Sequence, residues 1–417
     1  MKFSSLAARR SLLFAIILLF ASALAHAQNR GLEPTVILIS IDGFRYDYIE
    51  KFHPPNISQL AEEGVRAKWM IPSFPTKTFP NHYTIVTGLY PEHHGIIENN
   101  IWDFGTTFSL GKTEEVQNSR WWLGEPIWVT AEKQGRRTAS FFWPGTEAEI
   151  AGRRPTFWKT YDGAIPNAAR VEQILRWLDL PRNERPVFYT LYFSDVDDAG
   201  HRYSPDSPET RAAVLKVDSD IKMLIDGLRN RGIDREVNII IVSDHGMAAV
   251  ALENAVLIDE YIDAAKAERI LWTGEIVQIF PKRGAEKEIA DGLRKIKHAA
   301  CWQKDKIPRR LHYRASPRIA PIVCSAEEGW FMTSRERFAV RRARTDVGQV
   351  TGAHGYDNSL KSMRAIFIAR GKAFKAKYVS KPFSNIHIYE LMCKILNLKP
   401  AKNDGDLSRV KGLLAIR

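Results

Sequence analysis

One threonine is a candidate nucleophile because of the residues that surround it in the chain. Thr78 lies between Pro75 and Pro80, which stiffen the backbone on both sides of its hydroxyl. Apolar residues then recur at helical spacing, at Tyr83 and Val86, so the sequence predicts a helix that starts near Thr78. A helix N-terminus leaves unpaired N–H groups and favours anions such as phosphoryl oxygens. Taken alone, the stretch is equally consistent with a proline-rich loop before a surface helix.

Acidic residues follow three stretches that are typical of strands buried on both faces. Asp42, Asp197 and Asp244 each come shortly after such an apolar run, and His201 and His245 accompany the second and third. In open α/β sheets the ligand site lies beyond the carboxyl ends of the strands, so these side chains can converge. A single Asp after a strand is usually a turn or cap residue. Three strand ends that carry Asp, two of them also with His, indicate a shared site.

Together these groups have the chemistry of a two-metal site. The candidate ligands all carry carboxylate or imidazole donors: Asp42, Asp197, His201, Asp244, His245 and His354. This donor set suits zinc, and manganese or another divalent ion is the alternative. Two ions about 4 Å apart can clamp the attacking and leaving oxygens of a displacement at phosphorus, and one of them lowers the pKa of the Thr78 hydroxyl. We therefore predict a covalent phosphothreonine intermediate, hydrolysed by a water on the other ion.

The elements that would position these residues alternate between strands and helices. Strand-like runs occupy 35–41, 65–71, 138–142, 187–193, 237–242 and 364–369. Helical patterns occupy 56–64 with Asn56 as its cap, 125–134, 168–178, 209–229 and a C-terminal segment from about 384. This alternation predicts an α/β fold, a mostly parallel sheet with helices on both faces.

A change in the pattern of apolar and charged residues along the chain indicates an inserted segment. From 256 to 345 the patterns are those of a small α+β unit: strand-like runs at 275–280, 319–324 and 330–333, and a charged helix at 286–298. The buried-strand pattern resumes only after His354. We therefore predict a catalytic core at 28–255 and 346–417, interrupted by a smaller inserted α+β subdomain at 256–345.

Composition limits the kinds of partner that the chain can have. The 417 residues are 45% hydrophobic, which excludes a disordered chain, and the formal net charge is +12. Lys and Arg are scattered, with local concentrations at 294–314 and 335–344. We interpret these mainly as solvated faces, with attraction of a polyanionic substrate by one of them as the alternative. We expect a small-molecule partner and no sequence-specific nucleic-acid binding, and the sequence leaves the oligomeric state open.

The first residues have the pattern of a secretory signal. Residues 1–27 combine an initial cluster of positive charge, an apolar run at 12–20 and small residues before an expected cleavage near Ala27. The apolar run is too short to remain as a membrane-spanning helix, and no later segment is predicted to span a membrane. We therefore expect export to the periplasm.

Three cysteines are consistent with an exported chain. Cys301 and Cys324 would close a local loop if they paired, and the sequence leaves that pairing open. Cys393 lies in an apolar helical run and is expected to be a buried hydrophobic residue. None of the three has the spacing of a zinc site.

Six segments carry a resemblance to a known family. They are Ile-Asp-Gly-Phe-Arg at 41–45, Pro-Thr-Lys-Thr-Phe-Pro-Asn-His at 75–82, Gly-Leu-Tyr-Pro at 88–91 with His-Gly-Ile at 94–96, Asp197 with Gly-His at 200–201, Ser-Asp-His-Gly-Met at 243–247, and Gly352 with His-Gly-Tyr-Asp-Asn at 354–358. In this order they resemble the nucleotide pyrophosphatase/phosphodiesterase family of the alkaline phosphatase superfamily, in its compact bacterial form. The resemblance covers about residues 34–400 and implies an alkaline phosphatase-like fold.

The resemblance also implies a role for each matched residue. The metal nearer the substrate would be held by Asp197, His201 and His354. The second metal would be held by Asp42, Asp244 and His245, and Thr78 would bridge toward it as nucleophile. The implied cofactors are two zinc ions.

The same resemblance implies a set of substrate contacts. Asn99 matches an asparagine that donates to a phosphoryl oxygen. Phe79, Tyr161 and Tyr192 match positions whose rings flank a nucleobase or another substrate group, although each ring is also consistent with ordinary core packing. One departure is Asp-Val-Asp at 195–197, where the family usually has Glu-Pro-Asp; the ligand Asp is kept. Three histidines near the nucleophile match no ligand position: His82, His93 and His94.

The residues around Thr78 favour diesters over monoesters. Monoesterases of the superfamily place an Arg beside the nucleophile, whereas here Phe79 follows Thr78 and Asn99 would take the oxygen. We expect cleavage of nucleotide phosphodiester or pyrophosphate bonds, in nucleoside triphosphates or dinucleotides, with release of a nucleoside 5′-monophosphate. The alternatives are a phosphodiesterase for choline or lysophospholipid head groups and a non-catalytic nucleotide-binding protein.

Overall fold

A computed structural model describes residues 32–103, 105–344 and 348–415. The expected signal segment at 1–27 lies outside the described residues. Among the described residues, no helix is both long enough and apolar enough to cross a bilayer. The three strands whose carboxyl ends were predicted to carry the site all belong to the largest sheet.

The central sheet has seven strands. Their order across the sheet is Tyr378–Ser380, Val65–Ala67, Phe367–Arg370, Asn238–Val242, Val36–Ile41, Phe188–Phe193 and Thr138–Phe141. Val36–Ile41 pairs in parallel with both of its neighbours, and Phe367–Arg370 runs antiparallel to both of its own. The mostly parallel sheet is therefore confirmed, with one reversed strand that the sequence pattern did not distinguish.

Helices cover both faces of this sheet, as predicted. Successive residues of the strand Val36–Ile41 point to opposite sides: Val36 and Leu38 join one buried cluster, and Ile37 and Ile39 join another. All six residues of the strand are buried. A continuous apolar run is the expected pattern for a strand buried on both faces.

The described α-helices are mostly short. They are Tyr48–Phe52, Pro55–Glu63, Thr78–Thr87, Pro91–His94, Thr113–Val116, Ile127–Lys133, Asn167–Leu178, Asp195–Tyr203, Pro208–Asn230, Glu286–Leu293, Arg335–Ala343 and Ile388–Leu396. Single 3-10 turns lie at Ser119–Trp121, Ile258–Glu260, Ala264–Lys266, Lys304–Lys306, Arg309–Leu311, Lys361–Met363, Asn385–His387, Leu407–Arg409 and Lys411–Leu413.

Two local predictions in the first part of the chain are wrong. The run at 65–71 is not one strand: Val65–Ala67 joins the central sheet, and Met70–Ile71 pairs with Phe383–Ser384 instead. Asn56 is not the cap of its helix, which begins one residue earlier, at Pro55. The carboxylate of Asp218, on the helix Pro208–Asn230, accepts hydrogen bonds from the backbone N–H groups of Asn56 and Ile57 at 3.0 and 2.7 Å.

The segment predicted as an insertion contains its own sheet. Four antiparallel strands lie in the order Ala267–Trp272, Ile276–Pro281, Ile322–Ala326 and Ala299–Gln303. Cys301 and Cys324 are direct partners across two of these strands and form a disulfide, whereas Cys393 is a buried free thiol. The charged helix ends at Leu293, earlier than predicted, because a strand starts at Ala299.

Smaller strand pairs complete the fold. Ala255–Leu257 pairs in parallel with Phe331–Thr333, and Asn100–Asp103 forms a hairpin with Thr106–Ser109. Ala248–Ala251 pairs antiparallel with Val350–Ala353. The segment 252–349 therefore begins and ends at neighbouring positions, because Ala251 and Val350 are direct partners.

Candidate active site

The predicted site residues lie together at the carboxyl ends of the central strands. Asp42 directly follows the strand Val36–Ile41, and Asp244 comes two residues after Asn238–Val242. Asp197 and His201 are one turn apart on the helix Asp195–Tyr203, which follows the strand Phe188–Phe193. Side chains four residues apart lie on the same face of a helix, so this helix presents a carboxylate and an imidazole to one point.

One cluster of possible ligands is formed by Asp197, His201 and His354. Their ligand atoms all lie within 4.8 Å of one another. The Nε2 atoms of the two histidines are 3.1 Å apart, and Asp197 Oδ2 lies 3.4 Å from His201 Nε2. This is the set that the resemblance assigned to the metal nearer the substrate.

A second cluster lies beside the first around His245. Its Nε2 atom is 2.9 Å from Asp244 Oδ2 and 3.4 Å from Asp42 Oδ1. The ligand atoms of Asp42, Asp197 and His245 lie within 4.8 Å of one another, so the two clusters are contiguous. The imidazole rings of His245 and His354 stack with centroids 3.5 Å apart and join the two clusters.

The histidines of both clusters are oriented by backbone carbonyls. His201 Nδ1 lies 2.9 Å from Gly352 O, His245 Nδ1 lies 2.8 Å from Gly246 O, and His354 Nδ1 lies 2.8 Å from Thr76 O. A proton on Nδ1 that is donated to a carbonyl leaves the Nε2 lone pair free for a metal. In all three rings Nε2 is therefore the nitrogen that is available to a metal.

The carboxylates have the electrostatics expected of metal ligands. Asp42 Oδ1, Asp197 Oδ1 and Asp244 Oδ2 are buried and form no hydrogen bond within the described part of the chain. Burial raises the pKa of Asp42 well above its usual value, and the charges of Asp244 and Asp197 raise it further. Burial and then the charge of Asp197 do the same for the pKa of Asp244. Divalent cations would compensate these charges, so the residues fit a metal centre.

Thr78 lies at the edge of this cluster, at the start of a helix. It is the first residue of Thr78–Thr87, as predicted, and its Oγ1 is 3.4 Å from His245 Nε2. Thr76, two residues before Thr78, is fixed to the segment of His354, because its hydroxyl donates to Tyr356 O at 3.0 Å and accepts from the Gly355 N–H at 2.9 Å. The nucleophile segment and the last ligand are therefore held as one unit.

His82 is close enough to be mistaken for a ligand. One of its ring nitrogens and one carboxylate oxygen each of Asp42 and Asp244 lie within 4.8 Å of one another. Its Nδ1, however, is 2.8 Å from Thr78 O and its Nε2 is 2.8 Å from Ser40 Oγ, so both nitrogens are already in hydrogen bonds. Burial lowers the pKa of His82 to about 3, so the ring is neutral. We interpret it as a support for the carbonyl of Thr78.

Asn99 is held beside the nucleophile in a fixed orientation. Its Oδ1 accepts a hydrogen bond from the backbone N–H of Phe79 at 2.9 Å, which leaves the amide NH2 group as the donor. The backbone N–H of Asn99 donates to the carboxylate of Glu98. The other Glu98 oxygen accepts from Thr273 Oγ1 at 3.1 Å.

Sequence reasoning missed a buried ionic group under these residues. Lys77 and Glu98, which directly precede Thr78 and Asn99, are both buried, as is Glu275. Lys77 Nζ donates to Glu275 Oε2 at 2.6 Å and to Thr273 O at 3.3 Å. Charged residues next to two predicted site residues were the available signal, but Glu275 is 198 positions from Lys77.

The three predicted aromatic residues line one pocket of about 270 Å³ next to Thr78. Phe79 packs against Phe108 and Trp122, whereas Tyr161 is 48% exposed. Tyr192 has a further contact that the sequence did not reveal: its hydroxyl donates to Asp42 Oδ2 at 2.6 Å. Sequence analysis also missed two rings in the lining, those of Phe142 and Trp143.

One glycine explains how the two clusters come so close. Gly43, directly after Asp42, has a φ of +67°, and a Cβ there would lie 3.0 Å from Asp197 Oδ1. A side chain at this position would both strain the backbone and push Asp197 away. The Asp-Gly pair therefore allows the first strand end and the helix Asp195–Tyr203 to share one site.

Comparison with known proteins shows similarity along most of the chain. The family model described as type I phosphodiesterase / nucleotide pyrophosphatase matches residues 36–357. Venom phosphodiesterase CdcPDE of Crotalus durissus collilineatus is 40% identical over 394 residues, 91% of this chain and 46% of that protein. Ectonucleotide pyrophosphatase/phosphodiesterase family member 3 of Rattus norvegicus is 39% identical over 395 residues, 92% of this chain and 44% of that protein. The chain thus spans a little under half the length of these curated relatives.

A solved structure has the same fold. Murine ectonucleotide pyrophosphatase/phosphodiesterase 5, as an inactive threonine-to-alanine variant in complex with AMP, matches with a TM-score of 0.85 at 32% identity. The match covers 91% of this chain and 100% of that one. The predicted fold class is confirmed by this similarity and by the central sheet described above.

Proposed function

This chain belongs to the type I phosphodiesterase/nucleotide pyrophosphatase family, and from that premise we propose that it is an exported, metal-dependent hydrolase of nucleotide phosphodiester or pyrophosphate bonds. Its product would be a nucleoside 5′-monophosphate. The observation that carries the proposal is the position of one hydroxyl: Thr78 Oγ1 lies 3.4 Å from His245 Nε2 and also lines the aromatic pocket. A phosphorus atom bound there would meet a nucleophile, metal ligands and a stacking surface at once.

The two ligand clusters would hold two zinc ions. We assign one ion to Asp197, His201 and His354, and the other to Asp42, Asp244 and His245. Oriented imidazoles and hydrogen-bond-free carboxylate oxygens support this assignment. When bound, such ions supply Lewis acidity, which lowers the pKa of the Thr78 hydroxyl and offsets the charge of the phosphoryl oxygens.

The chain's own residues would carry the reaction in two displacements. Thr78 Oγ loses its proton to solvent and bonds to phosphorus while the bond from phosphorus to the leaving oxygen breaks, which yields a threonine joined through the phosphate to the nucleoside. Water then attacks the same phosphorus, releases the nucleoside monophosphate and restores the Thr78 hydroxyl. Asn99 donates from its amide to a phosphoryl oxygen in both steps, because its own oxygen is fixed by the Phe79 N–H.

The surroundings of Thr78 favour a substrate with a nucleoside group. Phe79 and the exposed ring of Tyr161 lie in the pocket that Thr78 borders, so a nucleobase can stack there. The complex of the murine relative with AMP supports the same ligand class. A neutral amide donor at Asn99, in place of an arginine, suits a phosphodiester better than a monoester.

A comparison of three nitrophenyl substrates tests the substrate class. We expect the 4-nitrophenyl ester of thymidine 5′-monophosphate to have the highest kcat/KM, ahead of nitrophenyl phosphocholine and nitrophenyl phosphate. Dominant hydrolysis of nitrophenyl phosphate would reject the diesterase assignment, and dominant hydrolysis of the phosphocholine ester would move the enzyme to the choline-type substrates.

Replacement of the nucleophile tests the mechanism. Thr78→Ala should lower kcat for the thymidine ester by about 10³-fold or more, since no covalent step is then available. Thr78→Ser keeps the hydroxyl and serves as the matched control, with partial activity expected. Near-normal hydrolysis by the alanine variant would rule out the threonine intermediate.

Export is the last part of the proposal. The signal pattern at 1–27 and the ectoenzyme names of the relatives support secretion, which we assign to the periplasm. Expression of the full sequence in a Gram-negative host should give periplasmic protein whose first residue is Gln28. A mature protein that retains residues 1–27 would contradict this assignment.

A further inference from the structure

A groove of about 850 Å³ borders the ligand clusters with a set of residues largely distinct from the aromatic pocket. Asn99, His201 and His354 line its inner end. Its outer wall is the helix Arg335–Ala343, which we call the arginine helix. The helix lies in the basic segment 335–344, which the sequence indicated to be mainly a solvated face, with attraction of a polyanionic substrate as the alternative.

The inner end of the groove offers little free positive charge of its own. Lys77 is the cation there, and its Nζ is 2.6 Å from the carboxylate of Glu275. Glu98 also lines the groove and is buried, so the three groups together carry one net negative charge when ionised. Beyond the proposed metal ions at the inner end, a polyanionic ligand in this groove would therefore need cations from another element.

The arginine helix supplies them. Arg337 and Arg341 are one turn apart on this helix, and both line the groove. Arg341 is fixed by Phe331, whose ring centroid is 4.4 Å away, and by Thr351 Oγ1 at 3.3 Å. Within the described residues, neither arginine has a carboxylate partner within 4.0 Å, unlike Arg335, which pairs with Glu260 at 2.8 Å on another side of the helix.

We propose that Arg337 and Arg341 bind the phosphates of the leaving group beyond the scissile bond, so that these two residues of this chain set how strongly a polyphosphate leaving group is favoured over an uncharged one. This inference rests on the proposed function: with the nucleoside in the aromatic pocket and the reacting phosphorus at Thr78, the remaining phosphates extend into the groove. Apart from the imidazoles of His201 and His354, the groove lining contains one aromatic ring, that of Phe331, and Arg341 covers it, so base stacking along a nucleic-acid strand is disfavoured.

Matched substrates test this preference. ATP leaves pyrophosphate and the nitrophenyl ester of thymidine 5′-monophosphate leaves nitrophenol, so the ratio of their kcat/KM values reports on the groove. In the double variant Arg337→Gln/Arg341→Gln the ratio should fall by about tenfold or more, because two charge-assisted contacts are lost. Arg342→Gln removes the same charge from a residue of the same helix that does not line the groove, and it should leave the ratio unchanged.

Equilibrium binding gives a second readout that does not need turnover. In a Thr78→Ala background, the arginine substitutions should weaken binding of α,β-methylene-ATP by about tenfold and leave the affinity for AMP unchanged. Equal loss for both ligands, no loss for either, or the same loss in Arg342→Gln would overturn the proposal. So would a double variant that loses hydrolysis of a short oligonucleotide but not of ATP, since the groove would then be a strand site. Failure of the wild type to cleave the thymidine ester would instead reject the proposed function.

Discussion

Glu98 connects the proposed phosphoryl donor to the rest of the protein. Its carboxylate accepts from the backbone N–H of Asn99 and from Thr273, and it lies in the buried group with Lys77. Glu98→Gln should lower kcat for the thymidine ester by about tenfold or more with little change in KM, because Asn99 would lose its alignment with the charge that develops at phosphorus. Steady-state kinetics at saturating and limiting substrate measure both constants.

The control for this prediction is Glu114→Gln, an exposed glutamate on the helix Thr113–Val116. It should leave both constants unchanged. If Glu98→Gln instead raised KM and kept kcat, or if it lowered kcat only because the protein unfolds, Glu98 would have no positioning role. Urea unfolding of both variants distinguishes these cases.

Residues of the site differ in how far the sequence could predict them. Asp42, Asp197 and Asp244 were predictable because each follows a buried apolar run, and strand ends meet at one edge of a sheet. Glu275 was not predictable, because nothing near it in the chain indicates that its partner is Lys77. The hydrogen bond of Tyr192 to Asp42 was missed for the same reason: it joins two strands that only the fold makes neighbours.

Among the elements, the helix Pro55–Glu63 depends on a cap from another helix. Asp218 Oδ1 accepts from two backbone N–H groups of its first turn, and Asp218 Oδ2 accepts from the Asn56 side chain at 2.6 Å. Asp218→Ala should lower the free energy of unfolding by about 2 kcal/mol, because the buried N–H groups lose their acceptor. Urea denaturation of the wild type and the variant measures this difference.

Asp226→Ala on the same long helix is the matched control, since among the described residues Asp226 pairs with exposed neighbours on that helix, Lys222 and Arg229. Equal destabilisation by both substitutions would mean that Asp218 acts through its own helix and not through the cap. Activity per folded molecule should be unchanged in either variant. The expectation that Asn56 capped this helix failed because the sequence shows only local candidates, and the true cap is 162 residues away.

At the scale of the whole molecule, the proposed metal centre joins segments that are far apart in the chain. Its ligands come from the ends of three strands of the central sheet and from His354, which lies beyond the segment 252–349 in the chain. Chelation with EDTA should abolish activity and lower the melting temperature by roughly 5 °C or more, because ions bound only by the folded state stabilise it. Thermal unfolding with and without EDTA, and after addition of zinc, measures the effect.

Replacement of one proposed ligand, His354→Gln, tests the assigned ligand sets. It removes one ligand, so it should lower the zinc content from two ions per chain and reduce the temperature shift caused by EDTA. A variant that retained two zinc ions, or a wild type whose melting temperature did not respond to EDTA, would contradict the assigned ligand sets. Elemental analysis of the purified proteins gives the metal content.

The overall architecture was predictable because its pattern repeats along the chain. Long buried runs alternate with amphipathic helices, and this favours a parallel sheet covered on both faces. The reversed strand Phe367–Arg370 was not predictable, because burial on both faces gives the same apolar run in either direction. The extent of the insertion at 256–345 stays a prediction.

The strand pair Ala248–Ala251 and Val350–Ala353 has a consequence for redesign of the protein. His245 precedes the first of these strands by three residues, and His354 directly follows the second, so the pair fixes both ligands independently of the chain between them. The segment 252–349, which includes the arginine helix, starts directly after one strand of this pair and ends directly before the other. The segment carries both the arginine helix and the two residues that contact Lys77 and Glu98, so a redesign that altered the helix to change the accepted leaving groups would have to keep Thr273 and Glu275 in place.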